Sequence, residues 1–154
     1  LELRDFQGQM EYYALRDTFY RSVTSVVIMY SVDNEQSFEE AKDIYECVLR
    51  SCDTAERSEM EHVPMILVGN KCDVSTRKVS RSDAHMFAQR RNMLYCECSG
   101  LNGQNVDEIF CALVRKARTY QKQNPKMMNS DKGSCRKSRR KQKRVPRMAT
   151  CPMM

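Results

Sequence analysis

The chain has 154 residues and 41% apolar composition, enough for one domain with a tail whose core must be shared over most of the length. No apolar run approaches the ~18–20 residues of a transmembrane helix, so any membrane contact falls to the tail. The net charge of +6 is concentrated there too: residues 126–154 carry ten Lys/Arg against Asp131 alone, which leaves −3 for residues 1–125.

Eight cysteines without tight regular spacing, behind no apolar leader, fit reduced cytosolic thiols better than a disulfide scaffold. An opening on Leu1 rather than Met points to a natural start further upstream. Residues 25–32, Ser-Val-Val-Ile-Met-Tyr-Ser-Val, form a β-branched apolar run that predicts a strand buried on both faces. Ser37-Phe38-Glu39-Glu40 has the form of a capping box, in which the hydroxyl and the carboxylate satisfy free N–H groups at a helix start. Phe38, Ala41, Ile44, Tyr45, Val48, Leu49 and Cys52 then recur on one face, predicting an amphipathic helix over 38–52.

Residues 53–62 are polar and read as a loop before a second buried apolar run at 63–68, a strand over 64–68 with Pro64 at its first position because it lacks a donor. Ser80-Arg81-Ser82-Asp83 offers a cap for a helix carrying Ala84, Phe87 and Ala88, and Met93-Leu94-Tyr95-Cys96 is a third short strand. Val106, Ile109, Phe110, Leu113, Val114 and Ala117 make the stripe of a last helix, with Asn105 as its N-cap. Strand and helix alternate three times, which predicts an α/β open sheet. From about Gln121 periodicity stops and Lys, Arg, Ser, Asn and Pro dominate, as in a disordered segment. The expected division is 1–120 and 121–154.

Ligands of open parallel sheets bind beyond the carboxyl ends of the strands. Three polar clusters lie at such ends. Asp5-Phe6-Gln7-Gly8-Gln9 follows Leu1-Glu2-Leu3, a stretch able to close a strand; Asn70-Lys71-Cys72-Asp73 follows the strand at 64–68; and Glu97-Cys98-Ser99-Gly100-Leu101 follows the third. Their order and spacing resemble the Ras superfamily motifs D-x-x-G-Q, N-K-x-D and [E-x]-S-A-K. Glu11-Tyr12, Arg16-Asp17, Ser37-Phe38-Glu39 and the run from Val63 to Asp73 extend the likeness to Ras and Rap-like members from about residue 1 to about residue 118.

The resemblance implies a partial Ras-like G domain, incomplete at its N-terminus, with a mostly parallel open sheet flanked by helices. It further implies a switch that binds GTP and GDP with Mg2+ and hydrolyses GTP weakly in the intact parent. Ras is the standard worked case of phosphoryl transfer from which these roles are carried over. Asp5 would approach the magnesium ion through water, Gly8 would offer its N–H to the γ-phosphate, and Gln9 would orient the attacking water. Residue chemistry gives an independent account of the base site. An ionised Asp73 only accepts, and guanine presents two adjacent donors, whereas adenine has an acceptor at N1. Asn70 would tie neighbouring loops together. Lys71 would lay its stem along the ring and aim its ammonium at sugar and phosphate oxygens. Backbone N–H groups near Ser99 and Gly100 would donate to guanine O6.

Two places depart from the family pattern. Phe6-Gln7 stands where Thr-Ala is usual, and Gly100-Leu101 where Ala-Lys is usual; Leu101 can pack on the base edge but brings no charge, which implies weaker guanine binding. The phosphate-binding pattern G-x-x-x-x-G-K-[ST] starts at none of the five glycines, Gly8, Gly69, Gly100, Gly103 and Gly133. Only four residues precede Asp5, where the family has its first strands, P-loop and first switch. Tight nucleotide binding and hydrolysis are therefore not expected of this chain alone, and a nucleotide-free docking protein is the alternative reading.

Residues 136–147 hold eight cations and no acid, a run that attracts anionic lipid at roughly 1 kcal/mol per cation. Cys151-Pro152-Met153-Met154 places a cysteine as a C-a-a-X prenylation box requires, although Pro152 and Met153 are poor fits to the aliphatic positions. The cytoplasmic face of a membrane, most plausibly the plasma membrane, is the expected location, with nuclear import by the basic run as the lesser alternative. No aromatics interleave with the cations to stack bases, which argues against nucleic acid. Exchange factors, activating proteins and effectors are implied as partners without being identified. His62 and His85 have no ligand partners at metal spacing.

Overall fold

Three short apolar segments and three amphipathic ones alternate, and each apolar segment becomes a strand covered by the helices that follow. The computed structural model describes residues 2–5, 20, 23–52 and 63–123. Two units are distinguished, Leu1–Tyr120 and Gln121–Met154; the three described residues of the second end the last helix. The polar stretch 53–62, His62, Phe6 to Gln9, the basic run and Cys151 lie outside the described residues.

The strands are β1 (Val26–Ser31), β2 (Met65–Asn70) and β3 (Leu94–Glu97); the helices are α1 (Glu35–Cys52), α2 (Arg81–Arg90) and α3 (Val106–Gln123). The described sheet has the order β1-β2-β3 with both pairings parallel. This is the open α/β sheet that alternation predicts, and it fits the partial G domain that the resemblance implies. Parallel strands need a crossover, and α1 and α2 supply one each. Residues 2–5 take neither helix nor strand, and Leu3 is exposed. The expectation that Leu1 to Leu3 close a strand is therefore corrected: a strand needs a ladder, and none of the described strands pairs with this segment.

β2 is buried on both faces up to Gly69, as a central strand must be. Its Ile66 and Val68 face α3 and form a cluster with Cys98, Ile109 and Leu113, flanked by Val27, Leu94 and Cys96. The opposite face carries an aromatic layer. Tyr30 lies 4.9 Å from Phe38, Phe38 lies 5.8 Å from Phe87, and Tyr45 lies 5.9 Å from Phe87, centroid to centroid, which joins α1 and α2 over one side of the sheet. β1 departs from expectation. Its Met29 is 52% exposed, so the run at 25–32 is not buried on both faces. The side chain sits on the α3 face of a strand that is the edge of the described sheet.

Helix starts also differ from the pattern reading. α1 begins at Glu35, three residues before the predicted start, and Asn34 is its cap: Ser37 N–H donates to Asn34 Oδ1 at 3.3 Å. Ser37 instead turns its hydroxyl back, donating to Asn34 O at 2.7 Å and accepting from Ser31 N–H at 2.9 Å. Ser80 occupies the cap position of α2, but no side-chain cap bond forms; its hydroxyl meets that of Ser82. Asn105 precedes α3 at φ 59°, and its side-chain amide donates to Glu97 O at 2.7 Å, so it ties the helix to β3 rather than capping it.

One glycine is fixed by close approach. Tyr30, Gly69 and Glu97 occupy one row across the three strands. A Cβ on Gly69 would lie 2.7 Å from the Tyr30 hydroxyl and 3.1 Å from Val32 Cγ1. Gly69→Ala is expected to destabilise the chain by about 1–3 kcal/mol through overpacking. Thermal unfolding reads this as a fall in Tm that Tyr30→Phe in the same chain partly restores, since it deletes the nearest atom.

Candidate functional site

The carboxyl ends of the strands converge on Asn70. Its Oδ1 accepts from Lys71 N–H at 2.7 Å and from Gly100 N–H at 3.1 Å, and Cys98 Sγ lies 3.7 Å away. A single side-chain oxygen thus joins the loop after β2 to the loop after β3. Backbone bonds reinforce the joint: Cys98 N–H donates to Gly69 O and Cys72 N–H to Cys98 O, each at 2.9 Å. Lys71 adopts φ 63°, in the left-handed region that costs a side-chain-bearing residue roughly 1–2 kcal/mol. The bond from Asn70 Oδ1 and a turn closed by Val74 N–H on Lys71 O at 3.1 Å hold it there.

Asp73 lies within that turn, is exposed, and meets no described donor or cation. Lys71 does have a partner: its ammonium lies 3.1 Å from Asp33 Oδ2, just beyond β1. Ser99 is fully buried; its N–H donates to Gln104 O at 3.1 Å, and its hydroxyl oxygen accepts from Leu101 N–H at 3.2 Å and Asn102 N–H at 3.4 Å. The Ser99 and Gly100 amides expected to face a base carbonyl are therefore engaged within the loops themselves. A Cβ on Gly100 would only reach ordinary contact with Asn70, at 3.7 Å, so nothing steric demands glycine where the resembled pattern has alanine. Leu101 is 87% exposed.

Beneath the loops lies a polar chain that pattern reading did not find. Arg77 grips Glu97 through both nitrogens, at 2.7 and 2.9 Å, and Tyr95 donates to the same carboxylate at 2.6 Å. The Tyr30 and Tyr95 hydroxyls meet at 3.3 Å across Gly69, whose missing side chain leaves the passage open. Burial alone pushes Glu97 upward and is the largest single influence. The Arg77 guanidinium and the Tyr95 hydroxyl together outweigh it and hold the carboxyl below its ordinary range. Burial, then the bond to Glu97, raises Tyr95 well above an ordinary phenol. Arg77 and Glu97 are twenty residues apart, so sequence offered only one signal: a carboxylate two positions from a tyrosine, on the same strand face.

Asp5 is exposed, and among the described residues no group of three or more His, Cys, Asp or Glu side chains can hold a metal. His85 is exposed and lies edge-on to Tyr95 at 5.7 Å. Cys47, Cys72, Cys96, Cys98 and Cys111 are free thiols, and burial raises Cys96 and Cys98.

In an open parallel α/β sheet the loops beyond the carboxyl ends of the strands are where ligands bind; Asn70 ends β2, and Lys71, Asp73, Ser99 and Gly100 stand on those loops. Residues 1–119 match the Ras family. The chain belongs to the Ras family, whose members bind guanine nucleotides. It is 32% identical over 143 residues to Ras-related protein Ral-a of Drosophila melanogaster, covering 92% of this chain and 68% of that protein. It is 36% identical over 124 residues to Ras-related protein R-Ras of Rattus norvegicus, covering 80% of this chain and 54% of that protein.

A carboxylate held below its unfolded value adds stability above the ordinary Glu value of 4.5, and that stability is lost as pH falls through the folded value. Glu97→Gln is therefore expected to destabilise the chain at pH 7, with the gap to wild type closing as pH drops below about 4.5. Urea unfolding at pH 7, 4.5 and 3 measures it; a gap that does not narrow contradicts the ion-pair account.

Proposed function

We propose that this chain carries the base-reading part of a Ras-family guanine-nucleotide switch, with Asp73 as the residue that selects guanine. The observation that carries the reading is the Asn70 joint, which fixes the two loops while leaving the Asp73 carboxylate free of described partners. Guanine's N1–H and 2-amino groups would donate to Asp73, and the stem of Lys71 would lie along the ring. Hydrolysis in the intact parent would use Gln9 to orient water, and Gly8 to hold the γ-phosphate, both outside the described residues.

The 154 residues contain no G-x-x-x-x-G-K-[ST] sequence to wrap the β-phosphate, so the chain by itself binds GTP weakly and does not turn it over. Calorimetric titration with GTP and GDP should give dissociation constants above about 1 μM. A sub-micromolar value overturns this. Guanosine should still outcompete adenosine, and Asp73→Ala should abolish that preference; indifference to the base in the wild type rejects guanine reading. In that event the nucleotide-free docking role becomes the better one. It already has some support in the loop amides and the Lys71 ammonium being internally engaged.

The basic run at 136–147 and Cys151 further suggest attachment to an anionic cytoplasmic membrane face, with prenylation of Cys151 and the polybasic stretch acting as two joint signals. Mass spectrometry of the protein from eukaryotic cells should find Cys151 prenylated and the last three residues removed. An intact, unmodified C-terminus rules the lipid out.

A further inference from the structure

We propose that Asp33 sets the charge preference of the base-reading loop: by holding the Lys71 ammonium in an ion pair, it makes the loop indifferent to phosphate on a guanine ligand. This rests on the guanine reading above and specifies the ligand class of that site.

The two partners meet from loops 38 residues apart, with Lys71 Nζ 3.1 Å from Asp33 Oδ2 and 3.4 Å from Oδ1. Each end is fixed by its own local bonds. Asp33 sits in a turn closed by Asn34 N–H on Ser31 O at 3.1 Å, and Oδ1 also accepts from the Ser31 hydroxyl. Ser31 is in turn locked by Ser37, which accepts its N–H at 2.9 Å. On the other side, Lys71 is pinned at φ 63° by Asn70 Oδ1 and by the turn to Val74. The Ser31 hydroxyl and the Lys71 ammonium hold Asp33 below the ordinary carboxylate range, so it is charged at neutral pH.

The loop therefore presents one cation already matched by one anion, beside the Asp73 carboxylate, which meets no described partner. A phosphate drawn to Lys71 meets Asp33 within a few ångströms of the same nitrogen, and attraction and repulsion largely offset. A neutral guanine nucleoside feels neither. The pair is half open to water, with 53% and 32% of the two side chains exposed, and pairs of that kind contribute little to stability. Removing Asp33 should accordingly leave the fold intact and change only the charge facing the ligand.

The test titrates the full chain with guanosine, GDP and adenosine by NMR shift perturbation, comparing wild type, Asp33→Asn, and Asp33→Asn with Lys71→Met. Wild type should bind guanosine and GDP within about twofold of each other. Asp33→Asn should improve GDP binding about two- to fivefold, the range set by freeing an exposed pair, with guanosine unchanged. The added Lys71→Met should return the ratio to the wild-type value. A GDP-to-guanosine ratio that stays put or falls in Asp33→Asn, while guanosine still outcompetes adenosine, overturns the role of Asp33 alone. Equal binding of guanosine and adenosine in all three chains removes the guanine reading itself, and this proposal with it.

Discussion

The contact on which the rest depends is the row Tyr30, Gly69, Glu97 and the Arg77 that closes it. Three parallel strands end together here, and Asn70 and the loops that carry Asp73 and Ser99 follow directly. Hydrogen bonds along the row run through side chains as well as backbone: Tyr30 to Tyr95, Tyr95 to Glu97, Glu97 to Arg77. A glycine at the centre is the condition for it, because any Cβ on Gly69 occupies the space of the Tyr30 ring. Arg77 also donates to Val79 O at 3.3 Å, and Lys78 and Val79 N–H both donate to Val32 O, so the loop after Asp73 returns beneath the end of β1. Breaking the row would remove the side-chain tie between β1 and β3 and the Arg77 anchor of that loop together, leaving the backbone ladders in place.

The loops above inherit their order from this base. Asn70 and Ser99 act as internal braces: one side-chain oxygen receives two amides from two loops, and one hydroxyl receives two amides within its own loop. A buried polar group is costly unless bonded, and no buried side-chain nitrogen or oxygen among the described residues is left unmatched. What stays open to solvent at the tips, Asp73 and Leu101, is what the scaffold does not need for itself.

The parts legible in sequence were those that depend on short separations. The stripe of α1 reads correctly because Phe38, Ala41, Tyr45 and Val48 recur with helical period, and all four are buried. Buried β2 was legible as an unbroken apolar run. Met29 was not, since an apolar run says that both faces can be buried but not which strand lies at the edge. The cap of α1 was misplaced because Asn34 and Ser37 are both good capping residues, and Glu40 completes a box with the wrong one. Asn105 failed as a cap for a longer-range reason: Glu97 O, eight residues back, captures its amide. At the site, N-K-x-D announced Asn70 as a brace between loops. Arg77, Glu97 and the two tyrosines stayed hidden because only the register of three strands brings them together.

If the loop reads guanine as proposed, Lys71 is where base recognition and charge part company. Its backbone is strained into the left-handed region, and strain of about 1–2 kcal/mol persists only where neighbours over-determine it. Asn70 Oδ1 and the turn to Val74 do so, and the result orients the methylene stem and the ammonium together. A loop built only to attract phosphate would leave that ammonium unopposed, since an unpaired exposed cation gains most from an incoming anion. Here Asp33 opposes it, with Ser31 and Ser37 holding the carboxylate in place. On the guanine reading proposed above, this geometry would keep what a planar base requires, a held stem and a nearby acceptor, while offsetting the charge that a phosphate would seek. On that reading phosphate affinity would have to come from other residues, which is why the loop from Asn70 to Asp73 identifies the family more firmly than it identifies an activity.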